Sequence, residues 1–338
     1  MEYSNFGDEI LYRSAEHFFE SLKKENLLSQ YEIFKAEPFS IGFSKCSENA
    51  LIHIFWGGTQ HYLFSNHKNI FQRGFYEQFI FQYIKLRKIL NYKIEEDKKI
   101  IFIASGFGPF EIPFSPLKRY VKKLIRKSIF ISVRDKESLK FVNQVKNKKS
   151  TQNKIISDPS ILIFEKYAAK FNHKEKAQDL IICPRKWTND CKNLEQIELI
   201  IKLRDIYGSD KIKIFYSSPE DEYFFAEYLQ NIDFLTWNGN IEDVHKFIKT
   251  GRVVLSARLH VGIFAKIIGI KTAFFNIEPK MIRNAEYYDC PTLKINNHEK
   301  VLEFIEEYKV LDFLKIYPQR EYADLKRIIL RYLPTPKP

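Results

Sequence analysis

Residues 252–275 constrain the fold most. Val253, Val254 and Leu255 form a short apolar run of the kind buried on both faces of a parallel sheet. Ser256 and Ala257 are small and suit a sharp exit from a strand. Residues 259–268 continue as a helix that stops at Gly269, and residues 271–275 form a second buried strand. Arg258 and His260 therefore fall between the carboxyl end of a strand and the amino end of a helix. Open α/β sheets bind ligands at such places. Free backbone N–H groups and the helix dipole favour an anion there, and an arginine suits a carboxylate or a phosphate. An exposed or capping role for the same two residues fits the local chemistry equally well.

The rest of the chain repeats this architecture. Residues 50–56 are a strand ending in Gly57 and Gly58. Residues 99–105 are a strand ending in Gly106, Phe107 and Gly108, and residues 129–133 a strand followed by Arg134 and Asp135. Helices are expected over 10–24, 71–90, 114–127 and 136–145, and a further strand over 31–36. Asn5, Gly7 and Asp8 precede the first helix, as caps or as groups facing a cleft. The polar, Lys-rich stretch 165–179 has no strand signal and is expected to join two domains. Beyond it, strands at 180–184 and 211–216 alternate with helices at 194–207, 222–229 and 240–250. Helices at 298–308 and 320–333 close the chain. Alternating strands and helices predict doubly wound parallel sheets.

The 338 residues suffice for two domains with their own cores. A hydrophobic fraction of 45% and a charged fraction of 28% are those of a soluble globular protein. The formal charge of +12 points to an anionic partner: a phosphorylated substrate, a membrane surface or nucleic acid. The lysines are spread rather than run together, which disfavours nucleic acid. Four cysteines, far apart and without a CxxC pair, suggest neither a zinc site nor a disulfide framework, so no metal is expected. The first residues carry no signal-peptide pattern, and no apolar run reaches the roughly 18 residues that cross a bilayer. A cytoplasmic protein, peripheral at the inner face of the membrane, fits these features.

Taken in order, Asn5 to Asp8, Gly57-Gly58, Gly106 to Pro109, Arg134 to Ser138, Asp158-Pro159-Ser160 and Ser256 to His260 resemble the polysaccharide pyruvyltransferase family. The resemblance spans about residues 4–281. Its most specific elements are Arg134-Asp135 followed by Ser138, and Arg258-Leu259-His260. It implies a GT-B-like fold, two Rossmann-like domains with parallel sheets facing a cleft. The expected domains are 1–168 on the acceptor side, 178–315 on the donor side, and a helix in 316–338 that crosses back to the first domain. It also implies a transferase that forms a pyruvate ketal on a sugar of a bacterial surface polysaccharide, such as capsule or exopolysaccharide. Phosphoenolpyruvate would be the donor, with no cofactor. By match, Arg134, Arg258, Leu259, His260 and Lys280 would contact the donor, and Asn5, Gly57, Gly58 and Gly106 would line the acceptor side. Val261 departs mildly from the family's small residue after the histidine.

The chemistry asks for such groups. The donor carries a carboxylate and a phosphate, which arginines, a lysine and a helix amino terminus can hold. Ketal formation needs a proton delivered to the methylene carbon and a base for the sugar hydroxyl. Imidazole exchanges protons near neutral pH, so His260 is the candidate acid or phosphate-side donor. Asp8 and Asp135 are candidate bases, each of which can equally be a helix cap. Trp56, Trp187, His61, Tyr62 and His67 are candidates for sugar contacts or for packing. The acceptor class that fits the charge is a lipid-diphosphate-linked oligosaccharide. The alternatives are a GT-B glycosyltransferase using a nucleotide-sugar and a non-catalytic binder of a polyanion.

Overall fold

A computed structural model describes residues 5–28, 31–33, 50–58, 61–63, 98–110, 116–146, 153–168, 178–187, 189–307 and 318–333. The chain divides into two compact units. The carboxyl unit holds residues 1–19 and 159–320, and the amino unit holds residues 20–158 and 321–338. In chain order the elements are α1 (Phe6–Lys24), β1 (Ile52–Trp56), β2 (His61–Leu63), β3 (Lys99–Ser105), β4 (Phe107–Phe110), α2 (Pro116–Lys127), β5 (Ser128–Val133), α3 (Lys136–Lys146), β6 (Lys154–Ile155) and α4 (Ile161–Ala168). There follow β7 (Asp179–Cys183), α5 (Asp190–Tyr207), β8 (Ile212–Tyr216), α6 (Pro219–Phe225), β9 (Asp233–Thr236), α7 (Ile241–Ile248), β10 (Gly251–Ser256), α8 (Leu259–Ile267), β11 (Lys271–Phe275), α9 (Pro279–Tyr287), β12 (Thr292–Leu293), α10 (His298–Glu306) and α11 (Pro318–Tyr332).

The sheet of the carboxyl unit is parallel, in the order β12-β11-β10-β7-β8-β9. The chain runs outward from β7 through β8 to β9, then returns to the other side of β7 with β10. That reversal makes a switch point between β7 and β10. Alternate side chains leave opposite faces of each strand. Ile181, Phe215, Val254 and Phe274 join one core with α1, α4, α7 and α8. Leu180, Ile182, Ile214, Leu255 and Phe275 join another with α5, α6 and α10. Burial on both faces is why these strands are continuous apolar runs in the sequence.

Phe6 ties the start of α1 into this unit. Its ring is buried among Phe164, Phe215 and Trp237, which contributes roughly 1.5–3 kcal/mol. Its backbone N–H donates to Ser217 O at 2.9 Å. The helix therefore begins at Phe6 rather than at residue 10, and the expected 1–168 domain gives both its ends to the carboxyl unit. Residues 165–168 are helical, not a join, because Phe164 and Tyr167 of α4 pack into the first core. Residues 31–33 are not a strand; the remainder of that expected strand, and the expected helix over 71–90, lie outside the described residues.

The amino unit has a parallel sheet in the order β1-β3-β5-β6, with β2 and β4 forming a separate pair. Phe55, Phe102, Phe107, Val121, Leu124, Ile125 and Val142 fill its core. Helix α11 belongs to this unit through buried Tyr322, Leu325 and Ile329. Its Glu321 accepts hydrogen bonds from Ser157 N at 2.9 Å and Ser157 Oγ at 2.7 Å, and Tyr322 donates its hydroxyl to Ser157 O at 3.0 Å. Glu321→Ala would leave the buried Ser157 donors without their acceptor, at a cost of about 1–3 kcal/mol. A lower urea midpoint with an unchanged m-value is the expected result.

Candidate active site

Four strands of the carboxyl unit deliver polar side chains to one edge of the sheet. Arg258 leaves β10 as the N-cap residue of α8, with φ −116° and ψ 121°. Ser256 fixes that turn: its hydroxyl donates to Arg258 O at 2.7 Å and accepts from Arg258 N at 3.1 Å. The guanidinium donates from Nε to Asp221 Oδ2 at 3.1 Å and from Nη2 to Asp221 Oδ1 at 2.6 Å. This is a bidentate fork, the geometry that fixes an arginine in plane and edge. Nη1 remains without a partner among the described residues.

Asp221 is 0% exposed. It sits in the first turn of α6, which Ser218 caps and Pro219 opens. Its carboxylate also accepts from Lys186 N at 2.9 Å and Ser217 Oγ at 3.2 Å. One buried carboxylate therefore ties together the exits of β7, β8 and β10.

His260 is the second residue of α8. A Cβ at Gly7 would lie 2.3 Å from its Nδ1, so the first turn of α1 rests directly against the imidazole. Asn5 caps that turn: its Oδ1 accepts from Asp8 N at 3.1 Å, and its amide donates back to the Asp8 carboxylate. Asp8 is exposed and engaged in this cap. Leu259 packs into the core, so only its backbone faces the helix end.

Lys280 lies in the first turn of α9, beyond β11. Its ammonium is 2.8 Å from Glu278 Oε2, and Arg185 Nη1, at the exit of β7, is 2.9 Å from the same oxygen. Burial pushes the Glu278 carboxyl upward, and the charges of Lys280 and Arg185 more than reverse this, so the group is held below its ordinary value of 4.5. A depressed carboxylate stabilises the fold above its unfolded pKa and loses that contribution as pH falls through the lower folded value. Below pH 4.5, thermal stability is thus expected to fall more steeply in the wild type than in Glu278→Gln, as read by melting curves across pH.

Trp187, a candidate for sugar contact, is already occupied by cations: Arg185 lies 4.4 Å and Lys192 4.9 Å from its ring centre. Cys183, the last residue of β7, is fully buried, and burial pushes its thiol up, so it is no nucleophile.

The remaining expected residues belong to the amino unit. Arg134, at the carboxyl end of β5, is 3% exposed and pairs with Asp158 at 3.2 Å. Asp135 caps α3: it accepts from Ser138 N at 2.7 Å and Ser138 Oγ at 2.9 Å. Gly57 and Gly58 take φ of 60° and 70°, a region that side chains disfavour. Their turn is stitched to β3 and to Gly106 by Gly57 N to Ile103 O and Gly106 N to Gly58 O, both 2.8 Å. Trp56 packs against Tyr322. Of His61 and Tyr62 only the backbone is described, and His67 lies outside the described residues.

Asp221, Glu278 and Arg185 received no role from the sequence. Their signal is faint: each follows a strand by a few residues, at the edge where Arg258 emerges. Among the described residues no helix is long and apolar enough to cross a membrane.

Two Rossmann-like units with parallel sheets define a protein of the GT-B fold class. A protein assigned as a UDP-N-acetylglucosamine 2-epimerase in Listeria monocytogenes superposes with a TM-score of 0.56 at 11% identity, over 97% of this chain and 93% of that one. The UDP-bound MnaA of S. aureus gives 0.53 at 13% identity, over 91% and 84%. The UDP-GlcNAc-bound UDP-GlcNAc 2-epimerase of Neisseria meningitidis gives 0.52 at 10%, over 69% and 70%. At these identities the likeness is one of fold alone. No curated protein matches the chain in sequence. The family profile of polysaccharide pyruvyl transferase matches residues 5–279, and the chain belongs to that family.

Proposed function

We propose that the protein transfers the enolpyruvyl carbon skeleton of phosphoenolpyruvate to a sugar as a ketal, releasing phosphate. The observation that carries this reading is Arg258. The chain's fold holds its guanidinium by a buried carboxylate at a sheet switch point, at the amino end of α8, with Nη1 unpartnered among the described residues and able to meet an anion. A ketal requires two new C–O bonds at the donor's C2 and loss of the C2–O bond to phosphate. One hydroxyl proton is balanced by protonation of the methylene carbon to a methyl group, and the other leaves with the phosphate. His260 is the proposed proton donor to the methylene carbon or to the phosphate side. Arg258, Lys280 and the α8 N–H groups bind the donor's anionic groups, with Arg134 as a further donor contact.

Asn5, Gly57, Gly58 and Gly106 are proposed to serve the acceptor. Asp8 serves as base only if it leaves its cap. The formal charge of +12 suits an acceptor linked to a lipid diphosphate at the inner face of a membrane. A ligand that binds the native state raises its melting point. Phosphoenolpyruvate is expected to raise it and UDP or GDP to leave it unchanged. A shift with UDP or GDP and none with phosphoenolpyruvate would overturn the reading in favour of a nucleotide-sugar enzyme.

A further inference from the structure

We infer that Arg185 is a second anion-binding arginine of this site and takes the donor's phosphate, while Arg258 takes its carboxylate. The inference rests on the donor reading above. Strands β7 and β10 are paired with Cys183 opposite Ser256, and Ala257 N donates to Cys183 O at 2.8 Å beyond the last pair. Arg185 and Arg258 are each two residues past that pair. They leave adjacent strands at the switch point, Arg258 reaching Asp221 beyond β8 and Arg185 reaching Glu278 beyond β11.

The backbone around Arg185 is held on every residue by a buried polar side chain. Gln196 accepts from Arg185 N at 3.0 Å and donates to Arg185 O at 2.9 Å. Asp221 accepts from Lys186 N at 2.9 Å, and Asn193 accepts from Trp187 N at 2.8 Å and donates to Trp187 O at 2.9 Å. The side chain is fixed too, by the Trp187 ring under it and Glu278 on Nη1. Nε and Nη2 have no partner among the described residues. Such fixing removes most of the rotamer entropy that binding would otherwise cost.

Charge divides the two arginines. Arg258 and Asp221 form a neutral pair. Glu278 is shared by two cations, Arg185 and Lys280, so one net positive charge remains there. The phosphate is the more highly charged group of the donor and belongs at the triple. The carboxylate, singly charged, matches the Nη1 of the neutral pair, which has no partner among the described residues.

Calorimetric titration of wild type, Arg185→Gln and Arg185→Lys with phosphoenolpyruvate, inorganic phosphate and pyruvate tests this. Arg185→Gln is expected to weaken phosphoenolpyruvate and phosphate by about 10–100-fold and pyruvate by less than about twofold, since a charge-assisted fork contributes on that scale. Arg185→Lys, which keeps the charge without the fork, is expected to fall between. Wild-type phosphoenolpyruvate affinity in Arg185→Gln, or equal loss of phosphate and pyruvate, would overturn the inference and leave the donor reading standing. Absence of phosphoenolpyruvate binding to wild type would instead remove the donor reading itself.

Discussion

Arg258→Ala is expected to destabilise the carboxyl unit by about 3–5 kcal/mol, because it strands the carboxylate of Asp221 without its counter-ion in a fully buried position. For a unit of this size that is a fall in melting temperature on the order of 10 °C. Adding Asp221→Asn is expected to restore part of the loss, since the neutral amide no longer needs a counter-ion and its oxygen can still accept from Lys186 N or Ser217 Oγ. The cycle of two single variants and the double should give a coupling energy within about 0.5–3 kcal/mol. Additive losses would show that the pair contributes nothing as a pair. Loss of activity in Arg258→Ala therefore reports on the site only when melting curves show the variant folded.

Gly7→Ala is expected to act in the opposite sense. The added methyl would meet Nδ1 of His260 at 2.3 Å, so the imidazole has to retreat by roughly 1 Å to reach ordinary contact. The obstacle is the imidazole ring and not backbone, so the contact is relieved by a shift of the His260 side chain. Gly7 lies within α1 without a positive φ, where alanine is the better helix former by up to about 1 kcal/mol. Stability should therefore hold or rise, while turnover falls by about 100-fold if His260 handles the proton. Wild-type turnover in Gly7→Ala would remove His260 from that role. The substitution thus separates chemistry from folding, which Arg258→Ala cannot do.

The legible parts of the fold are those where burial alone decides. The β10–α8–β11 stretch could be read because its strands are apolar on both faces and Gly269 ends the helix. Arg258 and His260 could be placed from that. Strand β9 was not legible: it is a four-residue edge strand with Asp233 and Phe234 exposed, and its apolar pair Phe234-Leu235 is too short to mark a buried strand. Helix α9 was hidden because Glu278-Pro279-Lys280 resembles a turn, although proline opens helices as readily as it ends them. The grouping of residues 1–19 with the second sheet depends on where Phe6 packs, a tertiary fact. Asp221 shows the limit most clearly. In Ser218-Pro219-Glu220-Asp221-Glu222 it looks like one acid among three in a helix start. Only the folded chain brings it against Arg258, 37 residues away in sequence.

The most direct measurement is phosphate release from phosphoenolpyruvate by the wild-type protein, with galactose-, glucose-, mannose- and N-acetylmannosamine-terminated lipid-linked acceptors. Release that requires one of these acceptors, with pyruvate found on the sugar as a ketal, is the expected result. Absence of release with every acceptor, together with a melting point raised by UDP or GDP and not by phosphoenolpyruvate, would contradict it.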